Sequence, residues 1–135
     1  MRYKFLQHTA DAKFNAYGST LEKSFENSAL AMLNLIYAGK VKEKTKKTFN
    51  VSGKDFESLL YNFLEEFLIL ADSEGFLASK IKVKIDRKNL RLKAEVSGDD
   101  AENYNFSASV KAVTYNHMFV KKINNKWVCQ VVLDV

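Results

Sequence analysis

Proline is absent from this 135-residue chain and glycine occurs only five times, which excludes a Pro/Gly-rich linker and any obvious seam between domains. A single cysteine, Cys129, excludes an internal disulfide. No apolar run reaches the ~18 residues that a membrane-spanning helix requires. The N-terminus, Met1-Arg2-Tyr3-Lys4-Phe5-Leu6, enters an alternating pattern at once, without the apolar stretch of a signal peptide. These absences point to a cytoplasmic protein that does not engage a membrane. Arginine is scarce as well, at three of the 21 basic residues. Lysine is a point charge without arginine's planar fork, so the net charge of +5 favours RNA or an acidic partner but supplies few base readers. The G-x-S-x-G elbow, the Walker loop, H-E-x-x-H and C-x-x-C are all missing, which argues against the common hydrolase, nucleotidase and zinc chemistries.

What is present is globular. A composition of 47% hydrophobic and 27% charged residues suits one domain over residues 1–135 with its own core. Arg2 to Gln7 reads as a strand ending at His8-Thr9-Ala10-Asp11, and Ala12 to Tyr17 as a second, closed by Gly18. Ser19-Thr20-Leu21-Glu22 has the form of a capping box, and Leu21, Phe25, Ala29, Met32 and Ile36 continue at helical spacing to about Tyr37. Gly39 to Lys47 is expected to be a loop and Thr48 to Ser52 a short strand. Phe56, Leu59, Leu60, Phe63, Leu64, Phe67 and Leu68 then form the apolar stripe of a second helix that Asp72-Ser73-Glu74-Gly75 ends. Lys80 to Ile85 and Leu90 to Ala94 alternate about the turn Asp86-Arg87-Lys88-Asn89, as a hairpin does. Ser97 to Tyr104 reads as a polar loop. Two last strands, Val110 to Ile123 and Trp127 to Leu133, are joined by Asn124-Asn125-Lys126. The expected fold is α+β, a mixed sheet of six or seven strands with two amphipathic helices packed on one side.

The candidate chemistry is acidic. Asp11 stands at a strand end, where a carboxylate often serves turn amides. Asp134 is the penultimate residue, beside the α-carboxylate of Val135. If the first and last strands bring Asp11 to this end, three anionic groups meet, an oxygen-rich set suited to Ca²⁺, Mg²⁺ or Mn²⁺. Cys129 lies in phase with Trp127, Val131 and Leu133 and is expected to be a core thiol. His8 and His117 are the only histidines, and His8 is three residues from Asp11. Lys111 alternates with Val110 and Ala112 near a strand start. Residues 55–74 carry Asp55, Glu57, Glu65, Glu66, Asp72 and Glu74 with no basic residue, and the last two are the most accessible to a partner. The lysines of the hairpin could meet phosphates, but no aromatic residue interleaves with them, so direct RNA binding is expected to be weak or absent.

These residues resemble the archease family. The matching segments are His8-Thr9-Ala10-Asp11, Ala16-Tyr17-Gly18-Ser19 running into Phe25-Glu26-Asn27, and Leu59-Leu60-Tyr61-Asn62-Phe63-Leu64. Asp72-Ser73-Glu74-Gly75, Val110-Lys111-Ala112-Val113-Thr114-Tyr115 and the terminal Trp127-Val128 through Val132-Leu133-Asp134-Val135 complete the set. The resemblance implies a non-enzymatic cofactor of an RtcB-type RNA ligase that joins tRNA halves. Such a cofactor promotes guanylylation of the ligase and its multiple turnover. A chaperone role towards an RNA methyltransferase, specifically a tRNA cytosine methyltransferase, is the alternative. It also implies a calcium site on Asp11, Asp134 and Val135, with Mg²⁺ or Mn²⁺ as other occupants. His8, Asp72, Glu74, Lys111 and His117 are the candidates for ligase activation. The family usually places histidine directly after T-Y, whereas here the order is Asn116-His117, and regular strand alternation would turn His117 to the opposite face from residue 116.

Overall fold

The alternating and helical patterns resolve into nine regular elements and one short turn of 3₁₀ helix. The computed structural model describes residues 1–6, 11–106 and 110–135. In order these are β1 (Tyr3–Leu6), β2 (Ala12–Gly18), α1 (Leu21–Ile36), β3 (Thr45–Ser52), α2 (Phe56–Glu74), β4 (Phe76–Asp86) and β5 (Arg91–Asp100). A 3₁₀ turn (Ala101–Asn103) leads to β6 (Ala112–Ile123) and β7 (Lys126–Asp134). The α+β class and the two helices are as expected, and the strands number seven. They form two antiparallel sheets, β1-β2-β7-β6 and β3-β5-β4, instead of a single mixed one.

The reason for two sheets lies in the helices. α1 packs on β2 and β7 of the first sheet and on β4 of the second, while α2 packs on β6 and on β3, β4 and β5. α1 buries Leu21, Phe25, Ala29 and Met32, but also Ser24, Ser28 and Ala31, more of its circumference than one sheet could cover. Each sheet therefore keeps both helices on one side, and the helices form the middle layer. Phe63 of α2 lies at its centre, with ring centroids 5.9 Å from Phe25 of α1, 6.1 Å from Phe49 of β3 and 5.1 Å from Phe67.

Local chemistry sets the element ends. The first helix is capped by Thr20, whose hydroxyl accepts the Lys23 N–H at 3.1 Å, and not by Ser19. The register shifts by one because the fully buried Leu21 begins the helix. Lys23 at the third helical position cannot return the bond that Glu22 was expected to make, so no capping box closes. α2 has a true box, in which Asp55 Oδ1 accepts the Ser58 N–H at 2.7 Å and the Ser58 hydroxyl accepts the Asp55 N–H. That helix includes Asp72-Ser73-Glu74 and ends at Gly75, which is left-handed with φ of 60°.

The segment read as a polar loop is strand up to Asp100. Gly98 makes this pairing feasible, because a Cβ there would collide with the Leu77 carbonyl. Asp99 is only 5% exposed. The Tyr104 hydroxyl donates to its Oδ2 at 2.8 Å and the Asp100 N–H to its Oδ1 at 2.8 Å. The Tyr104 hydroxyl in turn accepts the Lys42 N–H at 2.9 Å, so the network ties the chain after α1 to the end of β5. Glu26 performs a similar task at the open edge of β4. It is 7% exposed, and its Oε2 accepts the Val83 N–H at 2.9 Å. The Asn124-Asn125 turn between β6 and β7 has positive φ at both residues (50° and 62°), as a two-residue hairpin turn of this hand requires.

Candidate functional site

The four-stranded sheet collects the candidate residues through its register. Ala12 of β2 pairs with Leu133 of β7, which sets Asp11 across from Asp134 at the same sheet end. Ala112 of β6 pairs with Asp134 on the other side. The Lys111 N–H donates to the Asp134 carbonyl at 2.8 Å and extends that ladder by one residue. Residues from three sequence-distant strands thus meet at one tip. Asp11 is half-buried, whereas Lys111, Asp134 and Val135 are exposed. Antiparallel pairing puts the side chains of directly opposite residues on the same face, so two aspartates one strand apart can approach one cation.

The donor set fits a hard divalent ion. Two carboxylates offer oxygen ligands only, and the main chain at Val135, one residue beyond Asp134, carries a further oxygen. Among the described residues no three His, Cys, Asp or Glu side chains gather as a metal site, so the tip depends on the main chain to complete any coordination. His8 lies outside the described residues.

The other candidates fall in two places. Asp72 and Glu74 occupy the last turn of α2, where acidic charge opposes the helix macrodipole. Glu74 is held by Lys47 at 2.8 Å, an ion pair at the end of the three-stranded sheet, and Asp72 is exposed. His117 lies within β6, but not on a regular strand. Between Thr114, paired with Val132, and Phe119, paired with Gln130, β6 carries a wide bulge. His117 is left-handed there (φ 54°), its carbonyl accepts the Gln130 side-chain amide at 2.7 Å, and its ring is exposed. The alternation argument that set His117 against residue 116 does not apply inside this bulge, because bulges re-aim side chains.

Two features were not singled out from the sequence. Tyr115, at the start of the bulge and 55% exposed, stacks on Tyr61 of α2 with centroids 4.4 Å apart and planes 9° from parallel. Burial, with Tyr61, Asp55 and Glu65 nearby, raises the Tyr115 hydroxyl above the ordinary tyrosine range. Both tyrosines lie in motif segments, so the signal was present, but nothing in the spacing says that residues 61 and 115 meet. The second feature is the Asp99 network. The Tyr104 hydroxyl holds the Asp99 carboxyl below the ordinary aspartate range, aided by the Asp100 N–H and against the opposing effect of burial.

Cys129 takes no part. It is fully buried, its thiol meets the Ser24 hydroxyl at 3.4 Å, and burial pushes it up to about 11. At neutral pH it is a protonated core thiol, as the strand phase suggested.

Comparison with known proteins bears on the family and the fold. The Archease protein family model matches residues 3–135. A protein archease of Pyrococcus abyssi is 39% identical over 140 residues, covering 99% of both chains. That of Methanosarcina acetivorans is 40% identical over 140 residues, covering 99% of this chain and 96% of its own. The solution structure of protein 1598 from Methanobacterium thermoautotrophicum superposes with a TM-score of 0.86 at 36% identity, covering 99% of each chain. The crystal structure of a Thermotoga maritima archease, described as a possible chaperone, shares the fold with a TM-score of 0.66 at 20% identity, covering 98% of this chain and 96% of that one.

Proposed function

Because the chain belongs to the archease family, we propose that it is a non-catalytic, metal-binding cofactor of an RtcB-type tRNA-splicing ligase, promoting the ligase's guanylylation and its multiple turnover. The observation that carries this reading is the meeting of Asp11, Asp134 and Lys111 at one end of the four-stranded sheet, from three separate family motifs. Asp11, Asp134 and the terminal oxygens of Val135 would hold the divalent ion, with calcium the expected occupant. A divalent ion there supplies a concentrated positive charge of the kind that organises nucleotide phosphates. The Asp134 main chain is held by its strand and by the Lys111 N–H, which fixes the point from which the carboxylate projects. Lys111 brings positive charge to the same tip, and His117 and Tyr115 stand exposed on the same β6 strand. Activation of this kind acts through positioning and electrostatics, with the covalent chemistry left to the ligase.

The test is guanylylation of the cognate ligase by GTP, with and without this protein, at limiting divalent metal. Strong stimulation at substoichiometric amounts is expected. Failure to stimulate a competent ligase overturns the reading and moves the assignment to a chaperone or adaptor of a tRNA cytosine methyltransferase. The description of the Thermotoga maritima relative as a possible chaperone favours that second reading. The metal assignment has a separate readout: calorimetric titration of the isolated protein with Ca²⁺ should show binding that Asp134→Ala removes.

A further inference from the structure

The outer face of the three-stranded sheet concentrates most of the protein's excess positive charge. Leu92, Ala94 and Val96 of β5 are buried against the helices, so their neighbours Arg91, Lys93, Glu95 and Ser97 point away from them. The register places Asp86, Lys84, Lys82 and Lys80 of β4 on one side of these four, and Ser52, Asn50, Thr48 and Lys46 of β3 on the other. All twelve positions are polar, and all but Ser97 are exposed. Six are basic and two acidic, a net +4 on one flat face of a chain whose whole net charge is +5.

Two of the six cations face a carboxylate across β4–β5, Lys82 opposite Glu95 and Arg91 opposite Asp86, and four have no such partner on this face. The ion pairs seen among the described residues are Lys23–Glu26 and Lys47–Glu74, neither of them on this face. Asp86 is already committed to its own turn, accepting the N–H groups of Lys88 and Asn89 and the Asn89 amide. Lys84 and Lys93 are direct cross-strand partners, and like charges so placed destabilise a sheet. Glu95 lies in the same cluster and offsets part of that cost, and the surplus of cations stays exposed.

We infer that this face is a docking surface for the sugar–phosphate backbone of an RNA strand. Alternate residues along β4 put Lys80, Lys82 and Lys84 roughly 6.8 Å apart, a spacing that lets successive ammonium groups follow a phosphate chain. Thr48, Asn50 and Ser52 add neutral hydrogen-bonding groups along the other margin. The face has no apolar residue to anchor a protein partner or to enter a lipid surface. It has no aromatic residue on which a base could stack, so the contact reads charge and not sequence, and on its own it is weak. The acidic tip of the four-stranded sheet is a different surface, and the inference does not depend on what that tip activates.

Fluorescence anisotropy of a labelled 15-residue oligouridine with the full-length protein tests this without any ligase. The logarithm of the binding constant should fall against the logarithm of salt with a slope of about −3, as roughly four phosphate contacts on a single strand require. Lys84→Glu/Lys93→Glu should weaken binding at least about tenfold at low salt and flatten the slope by roughly 1.4. Lys4→Glu/Lys13→Glu, on β1 and β2 of the other sheet, should leave both nearly unchanged. The single change Lys93→Glu separates binding from folding, because it relieves the like-charge pair: the melting temperature should rise while RNA affinity falls. Equal losses from both double variants, equal binding of a polyglutamate peptide or of phosphatidylserine vesicles, or no oligouridine binding at 50 mM salt would each overturn the inference.

Discussion

The two sheets enclose the same helices, yet they are built differently. The three-stranded sheet is regular, with alternation over residues 79–86 of β4 and 91–96 of β5, a single shift between Ala78 and Lys80, and an outer face that is polar at the twelve positions named above. The four-stranded sheet is irregular. β6 bulges widely between Thr114 and Phe119, His117 is left-handed, and the sheet end beside Asp134 gathers residues from three strands. Regularity serves a surface that presents many equivalent charges, whereas irregularity and convergence serve a site that needs particular side chains at one point. The motif residues of the family at Asp11, Lys111, Tyr115 and Asp134 all lie on or at the ends of the irregular sheet's strands.

The sharpest way to break this contrast is at the tip. Asp11→Ala and Asp134→Ala should each abolish stimulation of ligase guanylylation, and Asp134→Ala should leave the melting temperature close to that of the parent, since Asp134 is an exposed residue at a strand end. Variants that fold and still stimulate fully would remove the tip from the mechanism. A second break tests whether the two sheets are one structure. Phe63→Ala deletes the ring between α1, α2 and β3 and should cost about 3–5 kcal/mol. If the helices couple the sheets, far-UV and near-UV signals lose stability together in one transition; two separated transitions would show that each sheet folds on its own share of the helices.

A smaller effect is expected at the Asp99 network, at the far end of β5 and on the regular sheet. The folded carboxyl is held below its ordinary value, so its contribution is complete above the ordinary aspartate range and is lost as pH falls through the depressed folded value. Asp99→Asn should therefore lower the melting temperature at neutral pH, with the two curves converging at strongly acid pH. A constant gap across the whole range would mean that shape, and not charge, is what Asp99 supplies.

Readable and unreadable segments occur on both sheets. The hairpin over 80–93 was visible in its alternation, and the apolar stripe of α2 fixed the strongest helix. Cys129 could be assigned to the core from its phase with Trp127 and Val131. The extension of β5 through Gly98-Asp99-Asp100 was not visible, because composition marks that segment as loop and only the close approach to Leu77 explains the strand. The split into two sheets was equally hidden, since it depends on how much of α1 is buried. At the tip, the sequence offered the meeting of Asp11 with Asp134 only on the condition that the first and last strands came together, whereas it is the second strand, β2, that pairs with β7. The Tyr61–Tyr115 stack and the bulge were not anticipated, because a bulge changes the period on which strand reasoning depends.

His117 is where that failure becomes a question about function, and where the smallest structural effect is expected. A non-glycine residue in left-handed backbone costs roughly 1–2 kcal/mol, and glycine accepts the conformation freely. Glycine also loses about 0.5–1 kcal/mol through its greater unfolded-state freedom. His117→Gly should therefore shift stability by less than about 1 kcal/mol, measured by denaturant unfolding. Strain held at an exposed imidazole, beside a stacked tyrosine pair and on the strand that also supports Asp134, is better explained by use than by folding. The same variant is thus expected to lower ligase stimulation by roughly tenfold, equivalent to about 1.4 kcal/mol, with Ca²⁺ binding intact. His117→Asn, which tolerates the left-handed backbone but lacks the imidazole, separates the two contributions. If it stimulates like the parent, the bulge matters for its shape and for the stacking of Tyr115. If it fails like His117→Gly, the imidazole itself belongs to the activating surface of the irregular sheet.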